Sequence, residues 1–350
     1  MKHELKELND KQKEAVLCTE GPLLILAGAG TGKTQVITNR IAYLIHEKNI
    51  NPREILAITF TNKAADEMLK RVEEQIGMDA GGIWISTFHT ACVRILRMYS
   101  HLIGYDNYFS IYDTDDQKKV IKTICSRMGI DTKQYPEKWF LNYLSSAKEN
   151  LVGPNRFALH ALDESNQRQY YDKIVAPVYR EYQKELQRNQ AFDFNDLIMM
   201  TVKLFRREPE ILNQFQERFR YISVDEYQDT NIAQLEFINL LAKKYQNICA
   251  VGDDDQSIYK FRSANIKNIS DFEKTFPKVK VIQLEQNYRS TQTILDAANH
   301  VIQNNIKRKE KKLWTKNEIG TKIRFFHTTS SYAEANLIVE QSHKFLHDGY

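Results

Sequence analysis

The chain of 350 residues has little glycine and proline, with 13 and 7 residues of each type. Glycine stands at about half of its usual share of ~7%, which excludes collagen-like and low-complexity chains and favours long helices. No apolar run approaches the ~18 residues that a membrane span requires, so we expect no contact with a membrane. The first eleven residues carry charges throughout, and this pattern excludes a secretory signal peptide.

Cysteine is equally scarce. The four thiols, Cys18, Cys92, Cys125 and Cys249, lie far apart and form no C-x-x-C pair. This spacing excludes a disulfide framework and a spaced zinc site, and it is typical of a reducing compartment. The balance of 49 Lys and Arg against 45 Asp and Glu leaves a charge of +4, which is too small to indicate a nucleic-acid partner. Composition therefore predicts a cytoplasmic, globular chain of two or three domains.

Short apolar runs alternate with helical patterns along much of the chain. The runs that we predict as strands are 23–27, 55–60, 83–87, 221–225, 248–252 and 281–285. Between them, apolar residues recur with a period near 3.6, as they do in amphipathic helices. Strand–helix–strand units of this kind predict an α/β fold with a doubly wound parallel sheet.

A long helical stretch interrupts this alternation at residues 111–190. We therefore expect a first α/β domain made of residues 1–110 and 191–281, with residues 111–190 as an all-helical insertion. Residues 282–350 begin a further α/β pattern, which we interpret as the start of a second domain. Because that pattern stops within an element at Tyr350, we expect the sequence to be a fragment of a longer protein.

A glycine-rich segment directly follows the first predicted strand and directly precedes a helix. It consists of Ala27, Gly28, Ala29, Gly30, Thr31, Gly32, Lys33 and Thr34. Glycines allow backbone N–H groups to curl around phosphate oxygens, and the helix N-terminus adds its positive end. Lys33 is placed to reach the β- and γ-phosphates, and Thr34 to bind Mg²⁺. The segment thus predicts a P-loop that binds ATP with Mg²⁺, although Ala27 replaces the usual first glycine.

Two adjacent acids, Asp225 and Glu226, end another predicted strand. A parallel sheet would bring Asp225 to the same carboxyl edge as the P-loop. Asp225 would complete the magnesium shell together with Thr34, and Glu226 would polarise the attacking water. We therefore predict Lys33, Asp225 and Glu226 as catalytic residues.

Seven further segments accompany the P-loop in a characteristic order. They are LNDKQKEAV at 8–16, TFTNKAA at 59–65, STFHT at 86–90, DFNDL at 193–197, VDEYQDT at 224–230, VGDDDQSIYKFR at 251–262 and QNYRS at 286–290. With these segments the chain resembles the UvrD/PcrA/Rep group of superfamily 1 DNA helicases over essentially its whole length. The resemblance implies two RecA-like domains, of which the first is a P-loop NTPase domain and the second is incomplete.

The resemblance also implies roles at the nucleotide. Gln12 would pair with adenine, and Tyr288 would stack on it. Gln256 would hydrogen-bond the γ-phosphate, where an uncharged amide causes no repulsion. Arg289 would act as an arginine finger, because its planar and permanently charged group suits a phosphoryl transition state.

Aromatic and polar residues of the same segments would bind single-stranded DNA. Candidates for stacking on bases are Phe60, Tyr259 and Phe261, and candidates for phosphate contacts are Thr61, Asn62, Thr87, His89 and Arg262. Relatives often carry tryptophan where Phe261 stands. The basic run at 307–312 is a further candidate, although a solvated helix end explains it equally well.

These features lead to one expected function and two alternatives. We expect a bacterial, cytoplasmic, nucleoid-associated 3′→5′ DNA helicase and single-strand translocase, acting on 3′-tailed duplexes in DNA repair or replication. The alternatives are the motor subunit of a helicase–nuclease and a nucleotide-switched DNA-binding module. Because the last motifs of the group lie beyond residue 350, we expect this fragment to hydrolyse ATP slowly.

Overall fold

Eight strands form two parallel sheets in the computed structural model, which describes residues 4–162, 169–257, 268–305, 309 and 311–349. The strands are β1 (Leu23–Ala27), β2 (Ile55–Thr59), β3 (Trp84–Thr87), β4 (Ser110–Tyr112), β5 (Ala191–Asp193), β6 (Tyr221–Val224), β7 (Ile248–Gly252) and β8 (Lys280–Leu284). The central sheet has six strands in the order β3-β2-β6-β7-β1-β8, and all of its pairs are parallel. The predicted α/β class with a parallel sheet is confirmed.

Helices cover the sheet and build the insertion. They are α1 (Asp10–Leu17), α2 (Lys33–His46), α3 (Asn62–Ile76), α4 (Phe88–Tyr99), α5 (Thr114–Met128), α6 (Glu137–Glu149), α7 (Pro154–His160), α8 (Gln169–Arg188), α9 (Phe194–Arg207), α10 (Pro209–Arg218), α11 (Ile232–Ala242), α12 (Asn268–Thr275), α13 (Gln292–Ile302) and α14 (Ser331–His347). In the described part of the chain, no helix combines the length and the apolar composition needed to cross a membrane.

Both faces of the central sheet are buried. Leu24 and Leu26 of β1 belong to one hydrophobic core, while Leu23, Ile25 and Ala27 belong to the core on the opposite face. Successive side chains of a strand point to opposite faces, so a strand covered on both sides is apolar at most positions. This explains why the strands of the sheet read as largely apolar runs, in which a few small polar residues such as Ser223 are also buried.

The insertion has its own core and is joined to the main domain at a short sheet. Its helices α5, α6 and α8 pack around a third hydrophobic cluster that includes Phe140 and Tyr179. Strand β4, which leads into the insertion, pairs in parallel with β5, which leads out of it. The insertion therefore begins and ends at one place, where α9 also starts.

Strand β8 contains the position at which we expect the first domain to end. It pairs with β1 from Lys280 to Leu284, so the boundary expected after residue 281 falls inside a strand of the first sheet. Beyond β8, the described residues form α13, α14 and an isolated bridge between Gln286 and Trp314. Assignment of residues 282–350 to a second domain stays a prediction.

Candidate active site and nucleic-acid interface

The predicted site residues gather at one edge of the central sheet. The P-loop follows β1, Asp225 follows β6, and Gln256 follows β7. Phe60 and its neighbours follow β2, and Thr87 ends β3. Because all six strands are parallel, these positions lie at their common carboxyl edge, where α/β proteins bind ligands.

The conformation of the P-loop depends on two glycines. Gly32 has φ +84° and precedes the first residue of α2, so it occupies a left-handed conformation that other residues rarely adopt. Gly30 also has a positive φ, and a Cβ atom there would lie 2.6 Å from Asn287 Nδ2. The hydroxyl of Thr31 donates to the carbonyl of Gly28 at 2.8 Å and closes the turn. The loop therefore approaches Asn287 so closely that no side chain fits at position 30.

Lys33 and Glu226 form an ion pair beside this loop. The distance from Lys33 Nζ to Glu226 Oε2 is 3.0 Å. Glu226 has φ +49°, an uncommon conformation for a residue other than glycine, and its carboxylate also accepts from Gln228 Nε2 at 2.8 Å. The structure thus brings the predicted phosphate-binding lysine and the predicted water-activating acid into direct contact.

Asp225 is buried beside this pair. Burial, reinforced by the nearby Glu226 carboxylate, raises the pKa of Asp225 to about 6, although Lys33 opposes the shift. Its carboxylate and the hydroxyl of Thr34 are hard oxygen donors of the kind that Mg²⁺ prefers. A divalent cation would offset the charge that burial disfavours, so these residues fit the predicted magnesium site.

The predicted adenine-binding residues lie together at the N-terminus of α1. Asn9 caps this helix, and its side chain donates to the Tyr288 hydroxyl at 2.8 Å. Gln12 is buried, and its amide donates to the carbonyl of Thr31 at 2.9 Å and accepts from the backbone of Asn9. Tyr288 is half-exposed, so one part of its ring is open to a ligand. The roles of Gln12 and Tyr288 toward adenine stay predictions.

Asn287 is a site residue that sequence analysis did not single out. Its side-chain amide donates to the carbonyl of Ala29 at 2.6 Å, and its oxygen accepts from the backbone of Arg289 at 2.9 Å. The backbone of Tyr288 donates to the carbonyl of Gly30. Asn287 therefore ties the segment that carries Arg289 to the P-loop. Its place directly before the predicted Tyr288 and Arg289 in QNYRS was a signal for it.

A second residue that sequence analysis passed over is Gln228. It is buried, donates to Glu226 Oε2, and accepts from the backbone N–H of Asp253 at 3.0 Å. On the far side, Gln256 Nε2 donates to Asp253 Oδ2 at 2.5 Å. A chain of hydrogen bonds thus connects Glu226 with the predicted γ-phosphate contact Gln256.

Five of the predicted DNA contacts line a cavity of about 470 Å³ at the β2–β3 end of the same sheet edge. Its walls include Phe60, Thr61, Asn62, Thr87 and His89. Burial lowers the pKa of His89, which favours its neutral form. Tyr259, Phe261 and Arg262 lie outside the described residues, and their roles stay predictions.

Phe194 joins this cavity and was missed as a site residue. It is the first residue of α9, it is 54% exposed, and its ring meets the ring of His89 edge to face at 5.5 Å. Asp193, which precedes it, caps the helix by accepting from the backbone of Asp196 at 2.8 Å. An exposed aromatic at a helix start within DFNDL was the signal for it.

The parallel sheet, the P-loop after β1 and the acidic pair after β6 define a RecA-like P-loop nucleoside triphosphatase domain. Residues 8–277 match the UvrD/REP helicase N-terminal domain, and residues 282–349 match the UvrD-like helicase C-terminal domain. The chain therefore belongs to the UvrD/REP helicase family.

Curated relatives agree with this assignment. The ATP-dependent DNA helicase PcrA of Bacillus subtilis (strain 168) is 52% identical over 340 residues, which cover 97% of this chain and 45% of that protein. PcrA of Staphylococcus aureus (strain Mu50 / ATCC 700699) is 50% identical over 345 residues, which cover 99% of this chain and 46% of that protein. The chain thus spans about half the length of the curated relatives that it matches.

Proposed function

We propose that this chain supplies ATP-hydrolysing and DNA-binding parts of a 3′→5′ DNA helicase and single-strand translocase. One observation carries the proposal: the parallel sheet presents Lys33, Asp225 and Glu226 on the same edge as the cavity around Phe60. The names of the relatives, ATP-dependent DNA helicases, support the same activity. We further propose that it acts in the bacterial cytoplasm, on the nucleoid, in DNA repair or replication.

The residues around the P-loop have complementary roles in this proposal. Backbone N–H groups of the loop would bind the phosphates, with Lys33 as the counter-charge. Mg²⁺, held by Thr34 and Asp225, would neutralise phosphate charge when bound. When ATP binds, its phosphates would displace the Glu226 carboxylate from Lys33. The released carboxylate would then accept the proton of the attacking water. Arg289 would stabilise charge that develops on the transferred phosphoryl group.

The cavity at β2 and β3 offers both kinds of contact that single-stranded DNA requires. Thr61 caps α3 and Thr87 caps α4, so the positive ends of two helices open beside the cavity. Such helix ends bind phosphates, while the rings of Phe60 and Phe194 provide faces on which bases stack. Stacking tolerates any base, as a translocating enzyme needs. We propose 3′-tailed duplexes as the substrates for unwinding.

The nucleotide site and the DNA cavity are connected through two adjacent strands. The backbone N–H of Asp225 donates to the carbonyl of Ile58 at 2.9 Å, two positions before Phe60. Strand β6, which carries the acidic pair, pairs directly with β2, which leads to the DNA cavity. A shift of the acids on nucleotide binding would therefore be transmitted along one pair of strands, and this is the basis for coupling hydrolysis to movement.

A DNA-stimulated ATPase assay of the chain tests the proposal. Hydrolysis should depend on Mg²⁺ and rise on addition of a single-stranded oligonucleotide, whereas blunt duplex should stimulate it less. ATP binding without any hydrolysis would instead identify a nucleotide-switched DNA-binding module. Cleavage of the oligonucleotide would identify the motor part of a helicase–nuclease.

A further inference from the structure

The ammonium group of Lys311 lies among three consecutive carboxylates. Lys311 Nζ is 2.5 Å from Asp253 Oδ1, 2.6 Å from Asp254 Oδ1 and 2.8 Å from Asp255 Oδ2, and the side chain is only 3% exposed. Burial alone would lower the pKa of Lys311, but the carboxylates outweigh it and raise this pKa. The backbone N–H of Lys309 adds a further donor to Asp254 at 2.7 Å. Lys311 is thus a permanently charged cation, and its three carboxylate partners form the turn that follows β7.

This turn leads directly to the predicted catalytic residues. Asp253 contacts Lys311 through one carboxylate oxygen and accepts from Gln256 Nε2 through the other. The backbone N–H of Asp253 donates to Gln228, which in turn donates to Glu226. Asp253 therefore connects Lys311 with both Gln256 and Glu226.

The segment 311–315 also contacts the P-loop and α13. A Cβ atom on Gly28 would lie 2.5 Å from Leu313 Cδ2, so Leu313 packs directly on the loop. The backbone of Leu313 is held by Asn299 of α13, whose amide donates to the Leu313 carbonyl at 2.9 Å and whose oxygen accepts from its N–H at 3.3 Å. One short segment therefore touches the phosphate cradle, α13 and the Gln256 turn.

We propose that Lys311 is a positioning residue for ATP hydrolysis, which holds the turn at 253–256 so that Gln256 faces the P-loop. Because the segment 311–315 contacts both α13 and this turn, a movement of α13 would also move the turn. The three carboxylates also resemble the donor set of a divalent cation, since their ligand atoms lie within 4.8 Å of one another. In the structure the ammonium group of Lys311 takes that place.

The first test is a kinetic comparison of three variants, and it rests on the proposed function. Lys311→Met should lower kcat of DNA-stimulated ATP hydrolysis about tenfold or more, with KM for ATP within about twofold, because the P-loop itself is intact. Lys311→Arg keeps the charge and should recover most of the turnover. Lys274→Met is the matched control, since Lys274 pairs with Asp271 at 2.9 Å on α12, outside the turn.

Two results would overturn the positioning role: unchanged kcat in folded Lys311→Met, or an equal loss in Lys274→Met. If Lys311→Met does not fold, the double variant Asp254→Asn with Lys311→Met leaves fewer unpaired carboxylates and should show the same split between kcat and KM. A normal kcat in that variant would equally refute the proposal.

The second test does not need catalysis. Mn²⁺ titration of the chain without nucleotide, followed by electron paramagnetic resonance, should show one additional bound ion in Lys311→Met relative to the wild type. Equal Mn²⁺ binding would show that the ammonium group does not take the place of a cation. A wild-type chain that hydrolyses no ATP would refute the proposed function. The Mn²⁺ titration would still test whether Lys311 occupies the space between the three carboxylates.

Discussion

Replacement of Glu226 by glutamine is expected to separate ATP binding from ATP hydrolysis. In the structure, Lys33 Nζ lies 3.0 Å from Glu226 Oε2, and the side chain of Lys33 is 12% exposed. At an effective dielectric constant near 20, two unit charges at this distance attract by about 5.5 kcal/mol before desolvation is subtracted. The phosphates of ATP must compete with this carboxylate for the ammonium group.

The net effect on binding is smaller than the Coulomb attraction. The side chain of Glu226 is 34% exposed, so solvent screens much of the interaction, and we expect about 0.5–1.5 kcal/mol. Glu226→Gln should therefore bind ATP about 2- to 10-fold more tightly than the wild type. Turnover should fall by about 10²–10⁴-fold, because an amide does not accept a proton from water.

Calorimetry with a non-hydrolysable ATP analogue and Mg²⁺ measures the first effect, and a DNA-stimulated ATPase assay measures the second. Glu236→Gln is the matched control, because Glu236 is comparably exposed and pairs with Arg206 at 2.7 Å on the surface. Weaker nucleotide binding by Glu226→Gln, or turnover equal to that of the wild type, would refute the assigned roles of the pair.

Three further predictions concern the P-loop, the DNA cavity and the buried junction of the insertion. Lys33→Ala should raise the Kd for ATP about 10- to 100-fold in calorimetry, since it removes a charged phosphate contact of about 1.5–3 kcal/mol. Phe60→Ala, Phe194→Ala and Phe261→Ala should each weaken single-strand binding by about 1–3 kcal/mol in fluorescence anisotropy. Lys148→Met should lower the free energy of unfolding in urea by about 3–5 kcal/mol, because Lys148 is fully buried with two carboxylates at 2.7 and 2.9 Å.

Each of these predictions has a contrary outcome. Equal ATP affinity of Lys33→Ala and the wild type would exclude a phosphate contact. Undiminished DNA binding, or a sharp preference for one base, would assign the phenylalanine rings to packing. For Lys148, the surface variant Lys184→Met is the control, because Lys184 is exposed and pairs with Glu181 one helical turn away. Similar losses of unfolding free energy in both variants would contradict the large cost that we assign to leaving the buried carboxylates without Lys148.

Much of the fold and part of the site could be predicted from neighbouring residues alone. The strands of the central sheet begin and end within one residue of the predicted positions, because strands buried on both faces are largely apolar and stand out in the sequence. The P-loop was predictable for a similar reason, since a strand, glycines, Lys33 and a helix follow one another directly. The place of Asp225 at the same sheet edge as the P-loop followed from one rule, that parallel strands share a carboxyl edge. The contact between Lys33 and Glu226 became visible only in the structure.

Only the tertiary structure decided which distant side chains meet. Lys148 lies 45 positions before Asp193 and pairs with it inside the junction of the insertion, while Lys311 meets Asp254 across 57 positions. Nothing periodic marks such pairs, because each forms where the strand order and helix packing bring two segments together. Phe194 became a site residue in the same way, when its helix placed it beside His89. Local patterns thus determine the elements and their chemistry, whereas long-range packing determines the partners of each charged or exposed side chain.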